Sequence, residues 1–140
     1  MMLRFSAAQQ QVLVGAARED YPLECCGLII GRRDGSDWVI DELVRSENIS
    51  PTPEKHFEVD MRLRLRLQRA LRDTGKAVIG HYHSHPNGKA GPSSTDLASA
   101  WEDNMVWVII GITDKTEKIA AFQYDADENQ FTAIEISLTA

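Results

Sequence analysis

A chain of 140 residues is long enough for one domain with a single sizeable core and short for two. Its 43% hydrophobic content is that of an ordinary globular protein, and a formal net charge of −6 disfavours a nucleic-acid partner, which would call for a basic face. The longest apolar run, over 105–112, is far too short to cross a bilayer, so no membrane partner is expected.

The first element in chain order is a helix over 7–18, with Ser6 as its N-cap and Gln9 reaching back in a capping box. Tyr21-Pro22 ends it, and 25–31 reads as a buried strand. A turn over 32–36 and a second strand over 38–44 complete a hairpin. Residues 46–56 hold two prolines and many polar groups and read as a mobile loop before a short strand at 57–59. The alternation Met61-Arg62-Leu63-Arg64-Leu65-Arg66-Leu67 has the period of a strand. Every residue in it is nevertheless a good helix former and none is β-branched. With Asp60 as cap and Leu63, Leu67 and Leu71 on one stripe, a helix to about Asp73 is expected; the alternative is an arginine-lined surface strand. A strand over 77–83, a third helix from Ser93 or Ser94 that includes Leu97 and Trp101, and strands over 105–110, 118–124 and 131–137 follow. The expected fold is α/β: a mixed sheet flanked by about three helices, in one domain over 1–140.

The most informative segment is His83-Ser84-His85-Pro86 followed by Pro92-Ser93-Ser94-Thr95-Asp96. Histidines at i and i+2 of a strand share one face, with Cα atoms about 6.6 Å apart, a spacing that lets two imidazoles converge on one ion. Asp96 follows across a Pro/Gly-containing loop and can fold back as a third ligand. Two imidazoles and a carboxylate suit tetrahedral Zn²⁺, and only three protein ligands leave the fourth position open, the mark of a catalytic site. Ser93-x-x-Asp96 is equally a plain helix capping box, and the two readings are compatible. His81 shares the face but lies about 13 Å from His85 along a straight strand, so it is expected to pack or to sit outside the ligand set. His56 reads as a solvated loop residue or part of a groove wall.

Two adjacent cysteines, Cys25 and Cys26, make no disulfide framework. Neighbours on a strand point to opposite faces, so core packing is expected rather than a shared ion or a redox pair. Met1-Met2-Leu3-Arg4 leads into Ala/Gln-rich sequence without a sustained apolar stretch, and the expected compartment is a reducing cytoplasm. From chemistry alone the upstream carboxylate that could serve as a base stays open among Glu19, Glu24, Glu42, Glu47, Glu54 and Glu58. Glu24 ranks slightly ahead for abutting a buried strand.

The arrangement His-x-His-Pro-x6-Ser-x-x-Asp, carried here by His83, His85, Pro86, Ser93 and Asp96, resembles the signature of the JAMM (MPN+) metalloproteases. Pro22-Leu23-Glu24-Cys25-Cys26-Gly27 resembles the stretch that bears the family's glutamate in bacterial members. The resemblance spans nearly the whole chain and implies the MPN (JAB) fold. It also implies one catalytic Zn²⁺ on His83, His85 and Asp96, with Glu24 as general base and Ser93 as hydrogen-bond donor to the oxyanion. The implied reaction is hydrolysis of a peptide or isopeptide bond after the Gly-Gly of a ubiquitin-like or sulfur-carrier protein. The stretch 101–118 has no room for the insertion that clamps a second ubiquitin in eukaryotic relatives, which points to a small stand-alone prokaryotic type; a homodimer is left open. Rival readings are a peptidase on cell-wall or phage-tail peptides, a non-catalytic MPN scaffold, and a zinc deaminase. The deaminase's His-x-Glu and Pro-Cys-x-x-Cys pattern is missing.

Overall fold

The computed structural model describes residues 1–139. In chain order the elements are β1 (Met2–Ser6), α1 (Ala7–Asp20), β2 (Cys26–Asp34), β3 (Asp37–Ser46), α2 (Met61–Ala70), β4 (Ala77–His85), α3 (Ser94–Ser99), β5 (Val106–Ile112), β6 (Glu117–Asp125) and β7 (Gln130–Thr139). The strands form one curled mixed sheet in the order β1-β3-β2-β4-β5-β6-β7. β1 runs parallel to β7 along its whole length and touches β3 only at Leu3↔Trp38 and Arg4↔Val39. The expected α/β architecture with three helices holds. Among the described residues no helix is long and apolar enough to cross a membrane.

α1 starts where the capping box predicts. Ser6 Oγ accepts from Gln9 N at 3.1 Å and Gln9 Oε1 accepts from Ser6 N at 2.9 Å, so two orphan amides of the first turn are satisfied reciprocally. The helix packs across β1, β3, β4 and β5 and buries Leu13, Val14, Ala16 and Ala17. This face and the inner face of the sheet make the main core, with Leu3, Phe5, Leu13, Ile29, Tyr82, Val106, Val108, Ile110 and Ile112 fully or almost fully buried. A second cluster of Cys26, Phe57, Met105, Trp107 and Tyr124 lies on the other face. β5 feeds both by strict alternation: Val106 and Val108 point to the first, Trp107 to the second.

Several expectations are corrected. β1 was not foreseen, because five residues with a single alternation carry little periodic signal. Arg32-Arg33-Asp34, read as part of a turn, continue β2, and the reversal narrows to Gly35-Ser36, with Gly35 at φ 61°. Here tertiary pairing with β3 overrides the turn-like composition. Residues 57–59 form no strand; only an isolated bridge joins Val59 to Asn48. Arginine-rich α2 is a helix, capped by Asp60, whose side chain accepts from Arg62 N, but it stops at Ala70 rather than Asp73. Its Leu63, Leu67 and Leu71 are half-buried while Met61 and Leu65 stay exposed, so it lies on the surface with only one stripe seated. α3 is six residues long and ends at Ser99, which leaves Trp101 outside it and 72% exposed.

The burial pattern makes a stability contrast. Leu13→Ala should lower unfolding free energy by about 2–5 kcal/mol, the cost of a cavity under α1. Leu65→Ala, at a half-exposed position of α2, should cost less than about 0.5 kcal/mol. Urea unfolding of the two variants and the parent protein measures both.

Candidate metal centre

β4 and β5 are parallel, so the chain must cross over between them, and the crossover leaves from the C-terminal end of β4. His83 and His85 are the last residues of β4 on one face, and the crossover carries Ser93 and Asp96. Topology thus brings the two halves of the motif together. A register shift against β2, where Ile29 faces Gly80 but Ile30 faces Val78, makes Ile79 an extra residue of β4. Beyond this bulge His81, His83 and His85 line the second face, while Tyr82 and Ser84 serve the main core side.

The ligand atoms converge. Nε2 of His83 lies 3.0 Å from Nε2 of His85, and Oδ2 of Asp96 lies 3.2 Å from the first and 3.0 Å from the second. All three residues are buried. Asp96 keeps its capping role as well: its Oδ2 accepts from Ser93 N at 2.9 Å, and Ser93 Oγ accepts from Asp96 N at 3.0 Å. The helix cap and the candidate ligand are the same carboxylate.

Tautomers follow from the partners. Nδ1 of His85 sits 3.0 Å from the Lys89 carbonyl, which can only accept, so Nδ1 carries the hydrogen and Nε2 presents a lone pair. That lone pair then faces an Asp96 oxygen that is also an acceptor. Only a proton or a cation between them makes the contact favourable. The protonation energetics show this tension. Burial raises the Asp96 carboxyl, but hydrogen bonds from His83 and His85 outweigh it and hold the group well below the usual carboxylate range. Burial lowers His85, yet its hydrogen bond to Asp96 and that residue's charge carry it upward overall. His83 is pushed down, chiefly by burial. Ligand atoms on one tetrahedral zinc with bonds of about 2.0–2.1 Å stand about 3.3 Å apart, close to the spacing found here. The donor set fits a divalent metal.

Glu24 precedes β2 and is buried. It reaches the cluster because Cys25 is stitched to the residue between the histidines: Cys25 N donates to Ser84 Oγ at 2.8 Å, and Ser84 N donates to Cys25 O at 3.1 Å. Glu24, His83 and His85 each offer a ligand atom within 4.8 Å of the others. Burial pushes the Glu24 carboxyl up to about 7, opposed by His85 and assisted by Asp96. Ser93 is exposed at the rim of a cleft of about 410 Å³ lined also by Glu24, Glu54, Lys55, His85, Asn87 and Thr95.

The structure places His81 outside this cluster. It meets Trp107 edge-on at 4.3 Å between ring centroids and lies 5.3 Å from Phe57. Together with His56 it lines an apolar groove of about 340 Å³. Cys25 and Cys26 pack on opposite faces, and burial pushes their thiols up to about 11 and 12, so neither is a thiolate at neutral pH. Two contributors escaped the sequence reading. Phe57 stacks on His83 at 4.1 Å between centroids, and its place in a presumed strand gave no hint of this. The Lys89 carbonyl is a backbone group and carries no residue-type signal at all.

Known proteins resemble this chain in sequence and in fold. The model of the prokaryotic homologues of the JAB domain matches residues 6–125. A CysO-cysteine peptidase of Mycobacterium tuberculosis is 31% identical over 73% of this chain and 68% of its own. A desampylase of Haloferax volcanii is 27% identical over 90% of both chains. The solution structure of a Desulfitobacterium hafniense protein, 29% identical, superposes with a TM-score of 0.86 over 99% of this chain and 93% of that one. An Archaeoglobus fulgidus JAB1/MPN domain protein, 20% identical, shares the fold at a TM-score of 0.53 over 98% and 96% of the two chains.

Gly111 tests how the turn after β4 supports the site. It pairs with His85 across the parallel ladder, and a Cβ there would stand 2.5 Å from Gly88 O and 2.8 Å from Ala90 N. Gly111→Ala must lift the turn that presents the Lys89 carbonyl to His85. Metal retention should weaken by about tenfold to hundredfold, read by competition with a chelating dye. An unchanged affinity would mean that the turn shifts without moving that carbonyl.

Proposed function

This chain belongs to the prokaryotic JAB-domain family, and we propose that residues 1–140 form one zinc-dependent peptidase domain of it, acting on conjugates of ubiquitin-like or sulfur-carrier proteins. The observation that carries the reading is the approach of His83 Nε2, His85 Nε2 and Asp96 Oδ2 to within 3.0 to 3.2 Å of one another, with the Glu24 carboxyl alongside. These three side chains would hold the zinc. When bound, the ion supplies Lewis-acid polarisation of the scissile carbonyl and lowers the pKa of a coordinated water to about 7.

The chain's own groups do the rest. Glu24, ionised and directed at the cluster, takes a proton from the attacking water as its oxygen bonds to the carbonyl carbon. It then passes that proton to the amine nitrogen as the carbon–nitrogen bond breaks. Burial makes the Glu24 carboxyl hold a proton more readily than an exposed glutamate, which suits a group that must carry one from the water to the amine. Ser93 Oγ accepts from Asp96 N within the cap, which leaves its own hydrogen free to donate toward the oxyanion from the cleft rim. Neither cysteine takes part.

Substrate class follows from the relatives, named as a CysO-cysteine peptidase, a desampylase and a probable TtuB-protein conjugate cleaving protease. The loop over 47–60 contributes Glu54 and Lys55 to the cleft, which Pro86 and Asn87 also line. An extended tail fits such a slot most readily where it carries no Cβ, hence Gly-Gly before the scissile bond. A non-catalytic scaffold would have no use for four buried polar side chains focused on one point.

Purified enzyme should hold about one zinc per chain, and His83→Ala/His85→Ala should lose it by elemental analysis. Glu24→Gln should keep the metal and the fold but lose at least about a hundredfold in hydrolysis, because an amide cannot accept the water's proton. For the substrate, a sulfur-carrier protein extended by a few residues beyond its Gly-Gly should be trimmed, and the same protein with Val-Val should not. Mass spectrometry reads both reactions; equal cleavage of the two would favour a general peptidase.

A further inference from the structure

Asn48, between β3 and α2, commits its entire side-chain amide to backbone groups. Oδ1 accepts from Ser50 N at 3.1 Å and Glu58 N at 3.0 Å. Nδ2 donates to His56 O at 3.1 Å and to Glu24 O at 2.9 Å. A primary amide has two donors and room for two incoming hydrogens, so every capacity is used. Three of these bonds close the loop over 48–58 on itself. The fourth leaves the loop and ends on Glu24.

The same loop holds the other side of that residue: Glu24 N donates to Pro53 O at 2.8 Å. Glu24 lies before the first residue of β2, so the β2 ladders do not include it. Its own N–H and C=O are held instead by a loop that Asn48 braces with three hydrogen bonds, while the next residue, Cys25, is tied to Ser84. We propose that Asn48 is the positioning residue for Glu24, setting where its carboxyl stands relative to the His83/His85 pair. This rests on the reading of Glu24 as the proton acceptor. Asparagine is required for its mixed chemistry: aspartate keeps the two acceptor contacts and sets an oxygen against two carbonyls, and alanine loses all four.

The test is a double-mutant cycle on the zinc-loaded full chain, with the Gly-Gly-extended sulfur carrier as substrate. Asn48→Ala should lower kcat by about tenfold to hundredfold, the scale of a small misplacement of a reacting group. KM and zinc content should stay within about twofold. In a Glu24→Gln background the same change should cost nothing further, because no base remains to be positioned. In the metal-free protein, exchange of the Glu24 amide hydrogen should quicken at least about tenfold in Asn48→Ala, while that of Leu28 in β2 holds. Multiplicative losses, an unchanged kcat or an unchanged Glu24 exchange rate would each overturn the proposal. Should the alanine variant fail to fold, Asn48→Asp runs the same cycle, since it retains the Ser50 and Glu58 contacts. Wild-type turnover by Glu24→Gln would instead overturn the reading of Glu24 itself, and the proposal with it.

Discussion

One carboxylate oxygen ties the functional half of this molecule together. Oδ2 of Asp96 accepts from the Ser93 amide and faces Nε2 of both histidines, so the end of β4 and the start of α3 meet at a single atom. A buried carboxylate is tolerable only where charge and hydrogen bonds compensate it. Here the compensation comes from groups about ten residues apart in sequence, which makes the crossover's path a requirement of electrostatics as much as of connectivity. A helix of six residues has little intrinsic stability. Its first turn is held because the residue that caps it is pinned to β4.

The sheet separates stability from chemistry by the alternation of β4. Tyr82 belongs to the main core under α1, and Ser84 on that side receives the Cys25 amide. His81, His83 and His85 occupy the opposite face. The bulge at Ile79 matters to this division, because it lets Ile79 and Tyr82 both enter the main core although three positions apart. Two strands flank β4 and hold it, β2 antiparallel and β5 parallel. A ligand pair on a central strand loses little precision to backbone motion, unlike one on a loop.

Much of this was legible before any coordinates. A period of two identified the histidine face, helix formers without β-branching settled α2 against its alternating pattern, and Ser6 and Ser93 marked two helix starts. What stayed hidden has physical reasons. β1 is too short for a periodic signal and exists because β7 and β3 offer it partners. Trp101 reads as part of the third helix, yet α3 ends before it and leaves it exposed. The segment over 46–56 reads as polar and irregular, and beyond Ser46, which closes β3, it is. Nothing in its composition reveals that Asn48 and Pro53 grip the backbone of Glu24, since those bonds join groups some twenty to thirty residues apart in chain order.

The two histidines of the pair are tuned in opposite directions by what surrounds them. His83 is sealed, with Phe57 stacked on one side of its ring, and burial favours its neutral form. His85 lies nearer the cleft, donates to Lys89 O, and is held toward its charged form by Asp96 and Glu24 against the pull of burial. A cation on this pair would need the Nε2 lone pair of both, so it would compete with a proton held between His85 and Asp96. The competition has a definite sign. A proton held on the pair would exclude the cation, and its loss would free the lone pair. On the reading of this cluster as a metal centre, His85 rather than the sealed His83 is the group through which acidity would act on it.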